Sequence, residues 1–200
     1  MLLRTMLEVS DLLAELMVPN CLVGGLAVSA YGMIRGTGDV DFLAILDGDQ
    51  IDALRQAARK AQWGYKHTNT SIDDPIGDVI ELTTPDVVHI IMAKYAYEPD
   101  FISRAGAFRY GDHKFNVIAP EDLIILKLRA FGPYDKEDVL AILSTNIPMD
   151  FDYLHKMIIV AHISRHWAKI QKMQNAPGEY SPQTALRHKS GERVRFKPKP

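Results

Sequence analysis

Apolar side chains open the chain at helical spacing. Leu2, Leu3, Met6, Leu7, Leu12, Leu13, Leu16 and Met17 predict a helix from about residue 2 to 17, ended by Pro19-Asn20. Cys21 to Val23 is short and wholly apolar, as a buried strand is. Leu26 to Met33 reads as a helix whose first turn lies at Gly24-Gly25, and Gly36-Thr37-Gly38 breaks the chain again. Val40 to Leu46 is the next strand. Gln50 to Gln62 follows as an Ala- and Arg-rich helix, with Asp47-Gly48-Asp49 as its cap region. Tyr65 to Gly77 is polar and reads as a loop. Val79 to Thr83 and Val87 to Met92 are β-rich runs across a Thr-Pro-Asp turn, consistent with adjacent antiparallel strands. Phe101 to Ala105 fits one helical turn, and Phe108 to Tyr110 with Lys114 to Ile118 flank Gly111-Asp112-His113 as a hairpin.

The rest is helical: Pro120 to about Ala130, with proline at a favoured early position, Asp135 to Leu143 after the Gly132-Pro133 break, and one long helix from Phe151 to Lys172. From Asn175 onward Pro, Gly and Ser rise, and basic residues cluster from Arg187 to Lys199. The pattern divides the chain into an α/β core over 1–118, a helical region over 119–172 and a basic tail over 173–200, expected to be disordered. Such a tail either binds RNA phosphates or serves only as a solubilising end. The fold class is α+β, a mixed sheet flanked by helices.

Composition narrows the class. A chain of 200 residues that is 47% hydrophobic can bury a core without staples. A formal charge of -2 gives no global attraction to nucleic acid or membrane. Cys21 is the one cysteine, so no intramolecular disulfide forms, which fits a cytoplasmic location. Glu8 and Asp11 interrupt the early apolar run where a signal-peptide core would lie, and no apolar run approaches ~18 residues, so neither export nor a membrane span is expected.

The chemistry concentrates between Cys21 and Leu46. Asp39 and Asp41 are two apart, so on a strand both carboxylates point to one face with Cα atoms roughly 6.5 Å apart. Two such acids can share Mg²⁺, which favours carboxylates together with substrate phosphates. Leu43 and Ile45 follow on the same face, and two acids on an apolar face repel and lose hydration unless a cation compensates. The alternative is a solvated strand rim. Gly24-Gly25 reads either as a tight packing turn or as bare amides at a helix start that receive phosphate. It is neither the dinucleotide fingerprint nor the Gly-Lys-Ser/Thr phosphate loop. Further along, Lys127 lies one turn from both Leu123 and Phe131, on or beside the apolar stripe, where a lysine either snorkels or serves a site. Asp135 and Asp138 share a helical face.

In combination, the strand, Gly24-Gly25 and Asp39-Val40-Asp41 resemble the nucleotidyltransferase superfamily of the DNA polymerase β type. The Arg35-x-Thr37-x-Asp39-Val-Asp41 wording is most similar to AbiEii-like and related bacterial nucleotidyltransferases. Val117 to Ala130 and Tyr134 to Leu143 resemble that family's "Pro-Glu-Asp-Leu…Lys-Leu" and "Lys-Asp-x-x-Asp" helices, with Tyr134 standing where the family has lysine. The resemblance covers about residues 20–145. It implies a nucleotidyltransferase-type mixed sheet, Mg²⁺ on Asp39 and Asp41, and nucleotide binding by Gly24, Gly25, Arg35 and Thr37, with Arg35 either contacting phosphate or fixing the loop. Lys127 would contact the triphosphate, and Asp135 and Asp138 would support the site or its lysine. The family's third carboxylate is expected on the strand from Val87 to Met92, where this chain has His89. Histidine can act as a base near neutrality; it equally fits lost activity or an ordinary half-buried histidine, and Asp86 and Glu81 are the substitutes if the register differs.

The expected function is therefore Mg²⁺-dependent transfer of NMP from an NTP to an acceptor, RNA or protein, in a toxin paired with a cognate antitoxin. A catalytically degenerate nucleotide- or partner-binding module and an antibiotic-type adenylyltransferase stand as alternatives. For the latter, Asp73, Asp74 and Asp78 could line an acidic acceptor pocket.

Overall fold

The computed structural model describes residues 2–33 and 35–175; the basic cluster from Arg187 to Lys199 lies outside them. Among the described residues the helices are α1 (Leu2–Glu15), α2 (Gly24–Ala30), α3 (Gly48–Lys60), α4 (Glu98–Arg104), α5 (Pro120–Ala130), α6 (Pro133–Leu143), α7 (Phe151–Val160) and α8 (Ser164–Gln174). The strands are β1 (Asn20–Val23), β2 (Asp39–Ala44), β3 (Gly64–Thr68), β4 (Val79–Thr83), β5 (Val87–Met92), β6 (Gly106–Tyr110) and β7 (His113–Val117). They form one mixed sheet in the order β3-β4-β5-β2-β1-β7-β6. β2 runs parallel to β5 and β1 parallel to β7, while β1–β2, β3–β4, β4–β5 and β6–β7 are antiparallel. The α+β class and the mixed, helix-flanked sheet are as the sequence predicts.

The period of two sorts the sheet into two faces. Val40, Phe42, Ile80, Leu82, Val88 and Ile90 are all 0% exposed and form the core face. α1 packs against β2 and β7, and α3 against β3. The other face carries Asp39, Asp41, His89 and Glu81. One buried apolar cluster includes the sheet and residues of α5, α6, α7 and α8. Within it lies a polar cross-brace: Asp122, 0% exposed, accepts from Arg104 Nε at 3.0 Å and from Tyr153 OH at 2.7 Å, tying α4, α5 and α7 together.

Two elements differ from expectation. Gly64–Thr68, placed in a polar loop by its composition, is the edge strand β3, paired with β4 alone. The long final helix is two, α7 and α8, separated at His162, which adopts φ +55°. The cap region at Asp47 is a full capping box: its carboxylate accepts from Gln50 N–H, and the Gln50 side chain accepts from Asp47 N–H.

Candidate active site

The register of three strands assembles the site. Asp41 is opposite His89 across the parallel β2–β5 pair, and His89 is opposite Glu81 across the antiparallel β5–β4 pair. Residues directly opposite project to one face, so the three side chains lie in a row. His89 Nδ1 is 3.0 Å from Asp41 Oδ1 and 4.0 Å from Asp39 Oδ2, and Nε2 is 3.9 Å from Glu81 Oε2. Asp39, Asp41 and His89 each offer a ligand atom within 4.8 Å of the others. The site opens to solvent, with Asp39 43% exposed and Asp41 18%.

The hydrogen bond to Asp41 raises the His89 pKa above its ordinary value. Partial burial acts against this, and the charges of Asp41, Asp39 and Glu81 reinforce it. Asp86 is elsewhere: it accepts from Thr5 Oγ1 at 2.7 Å, tying the β4–β5 turn to α1.

The glycine pair is built against these acids. Val23 lies opposite Asp41 in the β1–β2 register, so the next residue, Gly24, turns directly beside the Asp41 carboxylate. Gly24 has φ +65°, and a Cβ there would fall 1.9 Å from Asp41 Oδ2. A Cβ on Gly25 would fall 2.8 Å from Arg35 Nη1 and from Thr37 Oγ1. Thr37 Oγ1 in turn donates to Asp39 Oδ1 at 2.7 Å. The helix begins at Gly24 itself, so its first turn lies at the glycine pair as expected.

A second cluster adjoins the first. Lys127, its side chain 11% exposed, reaches Asp135 Oδ1 at 3.0 Å and Asp138 Oδ2 at 2.8 Å. The Asp138 contact lacks hydrogen-bond alignment and is an ion pair. Asp138 also receives Arg35 Nε at 2.5 Å. The lysine thus points into a charged network rather than along the surface, and Arg35 joins that network to the glycine turn. This Arg35–Asp138 link spans 103 residues and has no local signal in the sequence.

The chain matches, over residues 2–175, the model of the family described as "Nucleotidyl transferase of unknown function (DUF2204)". It belongs to this nucleotidyl transferase family. The family's description makes the chain a nucleotidyl transferase, an enzyme that moves a nucleoside monophosphate. Two solved structures share the fold. An antigenic nucleotidyltransferase-like protein from Paracoccidioides brasiliensis is 14% identical, with a TM-score of 0.51, over 93% of this chain and 92% of that one. The antibiotic-resistance factor ANT(2'')-Ia, in a solution structure, is 14% identical, with a TM-score of 0.52, over 87% of this chain and 96% of that one. No curated protein matches the sequence. Among the described residues no helix is long and apolar enough to cross a membrane.

Proposed function

We propose that the enzyme transfers NMP from an NTP to a hydroxyl on RNA or protein, with Asp39 and Asp41 holding Mg²⁺. The observation that carries this reading is the convergence of Asp39, Asp41 and His89 within 4.8 Å beside a glycine turn that admits no side chain. The carboxylate pair fits a hard cation, whose remaining positions suit phosphate oxygens. When bound, the ion supplies charge neutralisation for the triphosphate.

The chain's own residues supply the rest. Gly24 and Gly25 bring the backbone of the turn against Asp41, Arg35 and Thr37, and their amides with the Arg35 and Thr37 side chains are the groups that would meet the phosphates. Lys127 adds positive charge at the triphosphate end, held in place by Asp135 and Asp138. Asp41 accepts the Nδ1 proton of His89, which leaves Nε2 as the basic nitrogen. The acceptor oxygen bonds to the α-phosphorus and its proton passes to Nε2. The bond from the α-phosphorus to the bridging oxygen breaks, and pyrophosphate departs with the electron pair.

The exposed rim of the site supports a macromolecular acceptor, and the AbiEii-like wording from Arg35 to Asp41 supports a toxin with a cognate antitoxin. A small hydroxylated antibiotic is the second reading, favoured by the fold shared with ANT(2'')-Ia. The test follows label from each α-phosphate-labelled NTP, with Mg²⁺, into total RNA, lysate protein and a panel of hydroxylated antibiotics. Label in RNA or protein, lost at least ~100-fold in Asp41→Asn, is the expected result. Label confined to the small molecules would replace the acceptor assignment. Equal labelling by wild type and Asp41→Asn would remove Asp41 from the mechanism.

A further inference from the structure

An aromatic ring stands uncovered beside the charged cluster. Tyr134 lies in the first turn of α6 and is 69% exposed, although the same helix buries Asp138, Val139, Leu140 and Ile142. Its position is set by its neighbours in sequence. Pro133 starts the helix before it, and Asp135 after it accepts the Gly132 N–H at 2.9 Å and binds Lys127. The ring therefore sits on a fixed turn with little packing of its own.

The Arg35 guanidinium carbon is 5.9 Å from the centre of this ring. The same side chain is held by Asp138 through Nε and meets Gly25 through Nη1. Three contacts thus follow in spatial order: Asp41 against Gly24, Arg35 against Gly25, and Tyr134 against Arg35. The order runs from the Asp41 carboxylate, past the glycine turn and a guanidinium, to a flat π surface. A nucleoside triphosphate has the same polarity, with its charge at one end and an aromatic base at the other.

We infer that Tyr134 is the nucleobase platform of this enzyme, an assignment that rests on the nucleotidyl-transfer reading above. The base of the incoming NTP stacks on the exposed ring while its phosphates run past Arg35 and the glycine turn toward Asp39 and Asp41. Every base has a π face, so stacking tolerates base identity. Tyr134 accordingly sets affinity for the nucleoside part more than the choice among bases. Tyrosine suits the task because its ring is large and has few rotatable bonds to immobilise.

The experiment measures equilibrium binding of ATP, CTP, GTP and UTP, and of inorganic tripolyphosphate, with Mg²⁺. The full chain is compared as wild type, Tyr134→Ala and Tyr134→Phe, each checked for an unchanged thermal transition. Tripolyphosphate carries the charge of an NTP without its base. Tyr134→Ala is expected to weaken the best-bound NTP about tenfold, leave tripolyphosphate unchanged, and be rescued by Tyr134→Phe. Unchanged NTP affinity in Tyr134→Ala would overturn the assignment. So would an equal loss for NTP and tripolyphosphate, since the ring would then act only by holding Arg35. Wild type that bound no NTP would instead remove the nucleotidyl-transfer reading, and this assignment with it.

Discussion

Gly24 combines a left-handed backbone with the closest approach in the site, since the position of its missing Cβ is 1.9 Å from Asp41 Oδ2. Either constraint alone would favour glycine, and together they exclude a side chain while Asp41 stays where it is. In Gly24→Ala the backbone strain costs about 1 kcal/mol, and the methyl group forces the carboxylate away from His89 and Asp39. The variant should fold, with its melting temperature lowered by a few degrees, and lose label transfer by about 100-fold or more. Wild-type turnover in Gly24→Ala would show that Asp41 works from another rotamer. The neighbouring Asp138 shows a different kind of dependence. It is 5% exposed and takes charge from both Arg35 and Lys127. Such a pair offers little net stability over an apolar alternative, but it fixes where two cations lie.

At the scale of elements, Glu98 in the first turn of α4 joins two parts of the chain. It is 5% exposed, and its Oε2 accepts the N–H groups of Lys94 at 2.5 Å and Tyr95 at 3.0 Å. Burial raises its pKa above the ordinary 4.5, with the two backbone hydrogen bonds opposing the shift. A carboxyl whose folded pKa is raised adds stability that is complete below the unfolded value and is lost as pH rises through the folded one. Because one oxygen takes both donors, Glu98→Gln can keep both bonds without the charge. The variant should match wild type near about pH 4 and exceed it near about pH 7, by about 1.4 kcal/mol for each unit of displacement. Thermal melting across that range checks it, and a parallel pair of pH profiles would refute the burial argument. The same scale explains what was legible. α1, α3, α5 and α6 have apolar periods or cap signals that mark them, and β4, β5 and the β6–β7 hairpin have alternation and turns. The core strand β2 yields its site face directly from the spacing of Asp39 and Asp41. β3 escapes because an edge strand with Tyr65 and His67 alternating with Lys66 and Thr68 has no apolar stripe. The α7–α8 break escapes because His162 takes a left-handed φ that glycine normally signals. The Arg35–Asp138–Lys127 network escapes local pattern because it joins a loop before β2 to two helices far along the chain; only the family resemblance pointed to acids near the lysine.

Over the whole molecule, the site depends on the centre of the sheet staying closed. β1 is bracketed by β2 and β7, presents Gly24 at its end, and sets the Val23–Asp41 register on which the carboxylate position depends. Cys21 lies within that strand, 0% exposed, and burial pushes its thiol pKa up to about 12, with the charge of Asp122 adding to the shift. Thiolate is the reactive form, so a native chain offers a disulfide reagent neither access nor nucleophile. Modification of Cys21 by Ellman's reagent should be orders of magnitude slower than that of a free thiol. Its dependence on denaturant should follow the loss of far-UV circular dichroism, because opening β1 breaks the sheet in its middle. Ligand that binds only the folded chain should slow it further, by the factor 1 + [L]/Kd when opening limits the reaction. NTP with Mg²⁺ is the ligand to use, and Asp41→Asn should show less of this protection at equal nucleotide concentration. Prompt reaction in native buffer would mean that β1 opens locally, and the Gly24–Asp41 contact would then be one state among several rather than the fixed floor of the site.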